Sequence, residues 1–123
     1  MDFHINTLLA EFSKRYNEKY LPRLRALRPL RNLAVWGTGS IGHQFAIDSG
    51  WGAKDVIYVD PNPVNQGKFL SVTEHEIFAP GAINKHGCDT ILIASGWEDD
   101  VRDQIAKFVK KKVDIISFFD LIR

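Results

Sequence analysis

Hydrophobic residues beyond the first 31 positions form short apolar runs, which are separated by segments with helical spacing. Four of these runs are typical of buried strands: 33–36, 55–60, 89–94 and 113–116. The segments between them predict a helix over 41–49, ending at Gly50, and a second helix that follows residues 95–98 and ends in Lys110–Lys112. Because parallel strands are joined by helical crossovers, the alternation predicts an α/β fold, a small doubly wound parallel sheet of about five strands in the order 3-2-1-4-5.

Two local patterns add detail to this outline. Residues 73–76 have the spacing of a capping box and predict a short helix from Thr73 to about Phe78. Residues 95–98 form a second such pattern, in which Ser95 is the predicted N-cap of the helix that follows. A short extended piece is predicted over 68–70.

The first 31 residues carry an apolar stripe at helical spacing. Its main members are Ile5, Leu9, Phe12, Tyr16 and Tyr20. Pro22 is expected to break or restart this helix. Residues 1–31 have a net charge of +4 and the remainder −3, so we predict a helical leader over 1–31 and a body over 32–123. The stripe needs a partner surface, and we favour a homodimer through this helix over packing on the chain's own body.

Composition excludes several classes of protein. With 123 residues, 45% of them hydrophobic and 25% charged, the chain is an ordinary single domain that needs no disulfide or metal. Its one cysteine and four dispersed histidines predict no metal site, and no local signature predicts a catalytic residue. Apolar runs far shorter than roughly 20 residues predict no membrane span and a cytoplasmic protein. Arginines alternating with leucines over 23–28 are typical of a solvated helix face, which argues against a nucleic-acid partner.

A glycine-rich segment joins the first predicted strand to the first helix of the body. Gly37, Gly39 and Gly42 have the G-x-G-x-x-G spacing. In that motif the first glycine permits a tight turn, the second lets the backbone approach a pyrophosphate, and the third lets the helix lie close to the strand. The spacing therefore predicts an anion at the helix N-terminus. The alternative is that the glycines serve only a tight turn.

An acidic residue follows the second predicted strand. Asp60 lies 23 residues after Gly37 and could accept two hydrogen bonds from a ribose diol, or it could simply close a turn before Pro61. Pro61, with no arginine beside it, argues against a ribose 2′-phosphate and therefore against NADP. Lys68 could reach a phosphate or be solvated. Trp51 and Trp97 could stack on a base or pack at helix ends.

On residues 35–42 (VWGTGSIG), 60–68 (DPNPVNQGK) and 91–101 (ILIASGWEDDV), the body resembles the small Rossmann-like nucleotide-binding domain of bacterial sugar-modifying enzymes. These enzymes are sugar acetyltransferases, sugar methyltransferases and polysaccharide-biosynthesis proteins. The resemblance extends from about residue 32 to 122. Together with the glycine motif it nominates as ligand-binding residues Gly37, Thr38, Gly39, Ser40, Ile41, Gly42, Asp60, Lys68, Ser95 and Gly96.

Such relatives carry a separate catalytic domain. The resemblance therefore implies a module that binds a nucleotide or nucleotide-sugar, is not catalytic alone, and serves a separate catalytic protein or domain. Two alternatives remain. The motif also fits the NAD-binding domain of an oxidoreductase, although the chain ends after the first mononucleotide-binding half and about two more strands. The third hypothesis is an interaction protein with a vestigial pocket.

Overall fold

The computed structural model describes residues 14–27, 32–71 and 73–123. Its strands are β1 (Leu33–Trp36), β2 (Val56–Val59), β3 (Ile77–Phe78), β4 (Thr90–Ile93) and β5 (Asp114–Ser117). A π-helical turn (Tyr16–Tyr20) leads into the first of five helices, which are α1 (Leu21–Ala26), α2 (Ser40–Ser49), α3 (Ala82–His86), α4 (Glu98–Phe108) and α5 (Phe118–Ile122).

The five strands form one parallel sheet in the order β3-β2-β1-β4-β5. This confirms the predicted fold class and strand order. β1 is central: Val35 pairs with Tyr58 of β2 on one side and with Leu92 of β4 on the other. All four residues of β1 and of β4 are buried, as expected where helices cover both faces of a parallel sheet.

Alternate residues of the central strands lie in two hydrophobic clusters, one on each face of the sheet. Val35 and Leu92 face a cluster that also contains Phe45 of α2. Trp36 faces the opposite cluster, which includes Ile105 of α4. The period-two alternation of strand side chains thus places α2 and α4 on opposite faces of the sheet. Both helices follow strands that end at the same edge.

The described part of the leader packs on the body of the same chain. Tyr20 is 0% exposed, and its ring centroid lies 5.3 Å from that of Phe118. The Tyr16 hydroxyl donates a hydrogen bond of 2.5 Å to Asp48 of α2. Pro22 is the second residue of α1, directly after the π-helical turn. These contacts are packing within the chain, and the homodimer through the leader stays a prediction. The other predicted stripe members, Ile5, Leu9 and Phe12, lie outside the described residues.

The predicted helix at 73–78 is wrong. Residues 77–78 form β3, whose Ile77 pairs with Tyr58 of β2, and Glu76 forms an antiparallel bridge with Phe69 in the predicted extended piece. The Thr73 hydroxyl accepts the N–H of His75 at 3.4 Å, so it closes a turn instead of capping a helix. The helix lies further on, as α3.

Two negative findings apply to the part of the chain that the structure describes. None of its helices has the length and apolar character needed to cross a bilayer. No group of three or more histidine, cysteine or acidic side chains in this part is arranged to hold a metal ion.

Candidate functional site

A cleft of about 700 Å³ opens at the carboxyl ends of β1, β2 and β4. Within the sheet, β2 and β3 lie on one side of β1, and the chain then crosses over so that β4 and β5 lie on the other side of β1. Such a reversal of strand order leaves a crevice between neighbouring connections, which is where open α/β sheets bind their ligands. Eight of the ten predicted residues line the cleft: Gly37, Thr38, Gly39, Ser40, Ile41, Asp60, Ser95 and Gly96.

Two glycines of the motif are required by close packing at the floor of the cleft. Gly37 has a φ of +131°, and a Cβ there would overlap the carbonyl oxygen of Ala94 beyond β4. A Cβ on Gly42 would overlap the carbonyl oxygen of Gly37. Gly42 is buried in this contact and does not line the cleft. The tight turn and the close approach of α2 to β1 both therefore depend on glycine.

Gly39 stands in open space at the start of α2. It is the N-cap residue, makes no side-chain capping bond, and a Cβ placed on it would meet nothing within 4 Å. The first hydrogen bond of the helix runs from the N–H of His43 to the carbonyl of Gly39. The N–H groups of the first turn therefore have no partner within the helix, and they lie at its positive end. Gly39, Ser40 and Ile41 bring this end to the cleft, where it could bind an anion.

The carboxylate of Asp60 is already engaged by three donors of the chain itself. Its Oδ2 accepts the Thr38 hydroxyl at 2.5 Å and the Asn65 side-chain amide at 2.9 Å, and its Oδ1 accepts the N–H of Asn62 at 2.8 Å. The bond to Asn62 closes the turn, while the bond to Thr38 ties the glycine loop to the end of β2. An ionised carboxylate has about four acceptor positions, so roughly one remains, at Oδ1, for a ligand.

The capping role predicted for Ser95 is wrong. α4 begins at Glu98 with Trp97 as its N-cap residue, and no side chain caps it. The Ser95 hydroxyl instead accepts the N–H of Trp97 at 3.0 Å, because a serine can close a local turn with the backbone two residues on. The turn carries Ser95, Gly96 and Trp97 past the end of β4 to the wall of the cleft.

The two tryptophans that could have stacked on a base differ in exposure. Trp51 is 8% exposed and packs edge-on against Phe45, with ring centroids 5.6 Å apart. Trp97 is 75% exposed and lines the cleft. Lys68 is also exposed but does not line the cleft. The structure therefore gives Trp51 a packing role and places Trp97 at the candidate site.

Further along α4, the cleft is lined by residues that the sequence analysis did not nominate. Asp100 and Gln104 lie four positions apart, as neighbours on one helix face do. Trp36 also lines the cleft; it is 1% exposed, and its indole N–H has no hydrogen-bond partner among the described residues. In the sequence, Asp100 and Gln104 follow Trp97 by three and seven residues, which is the spacing of one helix face. That spacing was the only sequence signal that could have indicated them.

Comparison with known proteins gave matches among solved structures alone. No protein-family model matches the chain, and no curated protein matches it significantly. UDP-D-quinovosamine 4-dehydrogenase from Vibrio fischeri matches 72% of this chain and 77% of its own, with a TM-score of 0.52 and 20% identity. RSP, a Rex-family repressor, matches 93% of this chain and 67% of its own, with a TM-score of 0.50 and 15% identity.

The fold is Rossmann-like. At these identities the similarity concerns the fold alone, so the chemistry of the site rests on its own residues. In this Rossmann-like domain the cleft lies where the glycine loop, the end of β2 and the start of α4 converge. Among the described residues, its walls include the carboxylates of Asp60 and Asp100 but no lysine or arginine. Any anion bound there would be stabilised by backbone N–H groups rather than by a cationic side chain.

Proposed function

We propose that the chain is a nucleotide-binding module, and that its cleft holds the phosphates of a nucleotide or nucleotide-sugar at the N-terminus of α2. The observation that carries the proposal is the open space at Gly39, beside N–H groups that have no partner within the helix. Chemistry would be supplied by a separate catalytic protein or domain.

The ligand class has two candidates. A nucleotide-sugar agrees with the name of one matched structure, a UDP-D-quinovosamine dehydrogenase, and would suit a module that serves a sugar-modifying enzyme. NAD is supported about equally, since a dinucleotide also needs a glycine loop and an acid at the end of β2. No lysine or arginine lines the cleft in the described part of the chain, which argues against a ribose 2′-phosphate and thus against NADP. A cytoplasmic location and the absence of a nucleic-acid partner stay predictions.

Calorimetric titration with NAD, UDP and a UDP-sugar tests the proposal. Gly39→Val should abolish binding, because its side chain would occupy the place of the phosphates, while the urea unfolding midpoint stays close to that of the native chain. Gly81→Val is the matched control: Gly81 also has open space around its Cβ position but lies outside the cleft, so binding should persist. Unchanged affinity in a folded Gly39→Val variant would show that the phosphates do not lie at the glycine loop.

A further inference from the structure

The charges around the cleft bear on which nucleotides it can hold. Asp60 approaches from the end of β2, and Asp100 from the first turn of α4. Glu98, beside Asp100 in that turn, forms an ion pair with Arg102 at 3.6 Å, whereas Asp100 forms none with a described residue. Positive potential in the cleft comes from the N-termini of α2 and α4, each equivalent to roughly half an elementary charge, and the three acidic side chains in the first turn of α4 offset that of α4.

Free and esterified diphosphates differ in charge at neutral pH. A diphosphate esterified at both ends carries about two negative charges, and a free terminal phosphate adds about one more because its second ionisation has a pKa of about 6. Two carboxylates and no cationic side chain line the cleft among the residues that the structure describes, so no cationic side chain there balances that additional charge. A ligand with a free terminal phosphate would bring the additional charge into the cleft that Asp100 lines.

We infer that this cleft selects diphosphates esterified at both ends, such as dinucleotides and nucleotide-sugars, over free nucleoside diphosphates and triphosphates. Asp100 is the specificity-determining residue, because it repels the additional charge of a free terminal phosphate. The inference rests on the proposed function and narrows its ligand class.

The sharpest test compares ligands that differ only in the terminal charge. UDP and ADP are each titrated beside their β-methyl esters by calorimetry, in EDTA so that no divalent cation masks the phosphate charge. The methyl ester should bind more tightly than the free diphosphate by about threefold to tenfold at low salt, and the ratio should shrink at high salt as exposed charges are screened. Tryptophan fluorescence gives a second measure of binding. Trp97 is the exposed tryptophan at the cleft, whereas the chain's other two tryptophans, Trp36 and Trp51, are buried.

A pair of neighbouring substitutions assigns the selection to Asp100. Asp100→Asn should improve binding of the free diphosphate by about threefold and leave the ester nearly unchanged. Asp99→Asn removes the same charge from an exposed neighbour that does not line the cleft, so the ratio should stay as in the native chain. Equal affinities for ester and free diphosphate, or equal effects of the two substitutions, would overturn the inference. Binding of no ligand in either series would overturn the proposed function itself.

Discussion

The hydrogen bond between Thr38 and Asp60 joins the glycine loop to the end of β2, and its contribution to stability can be worked out from the structure. It is 2.5 Å long, and both residues are half-buried. A hydrogen bond to a charged group contributes about 1.5–3 kcal/mol, and partial exposure lowers this to about 1 kcal/mol. Thr38→Val keeps the shape of the side chain and loses the hydroxyl, so we expect the free energy of unfolding to fall by about 1 kcal/mol.

Asp60→Ala should cost more, about 2 kcal/mol, because it also removes the acceptor of the Asn62 N–H and the Asn65 amide. The two substitutions share one bond, so the double variant should be less destabilised than the sum by about 1 kcal/mol. Equilibrium urea unfolding measures all four chains of the cycle. Ser40→Ala, which changes an exposed hydroxyl in the same loop, should stay within about 0.5 kcal/mol of the native chain.

A coupling energy near zero would refute the reasoning, since Thr38 and Asp60 would then not stabilise each other. The same variants also test the ribose hypothesis. If the remaining acceptor position of Asp60 holds a ribose hydroxyl, Asp60→Ala weakens binding of a ribonucleotide more than that of its analogue lacking both hydroxyls. Equal losses for the two ligands would show that Asp60 only positions the loop and the turn.

Gly42→Ala, with Gly39→Ala as its control, tests the packing of α2 on β1, and Tyr16→Phe tests the packing of the leader on α2. Gly42→Ala should lower the free energy of unfolding by about 1–3 kcal/mol, because its Cβ would overlap the backbone of Gly37. Gly39→Ala should leave the free energy of unfolding nearly unchanged, because the space at its Cβ is open. Equal urea midpoints for the two variants would contradict the close packing at Gly42. Burial, and then the bond to Asp48, raise the pKa of Tyr16 from 10.0 to about 12. The folded state therefore favours the protonated phenol, which stabilises the folded chain. This contribution to the free energy of unfolding is complete below pH 10 and is lost as the pH rises through 12. Tyr16→Phe should therefore lose less stability than the native chain between pH 10 and 12, and identical urea-unfolding profiles would contradict the packing of the leader on α2.

The elements predicted correctly are those whose sequence signal is local and strong. β1, β2 and β4 are continuous apolar runs because they lie inside a parallel sheet, and Gly50 ends α2 in the left-handed conformation that glycine favours. The strand order followed from the right-handedness of the crossovers, which holds for nearly every such sheet. The spacing of Gly37 and Gly42 likewise reports two close backbone contacts.

The capping-box pattern gave wrong predictions at two places, because the same residues can close a turn instead of capping a helix. Thr73 and Ser95 each precede an acidic residue at capping-box spacing, yet both hydroxyls accept a backbone N–H two residues ahead and close turns. Residues 77–78 form a strand because they pair with the free backbone N–H and C=O groups along the edge of β2. That pairing joins two segments that are distant in the sequence, so a local sequence pattern cannot predict it.

The parallel α/β architecture, the strand order and the glycine loop at the start of α2 were predictable from the amino-acid pattern, because each follows from apolar periodicity or from the conformational freedom of glycine. Three other properties emerge only in the folded chain: the surface that the described part of the leader covers, the number of acceptor positions that Asp60 retains, and the meeting of Asp100 and Trp97 with the glycine loop around one cleft. These properties depend on groups from distant segments that meet only when the sheet has formed, and no spacing along the chain encodes the distance between them.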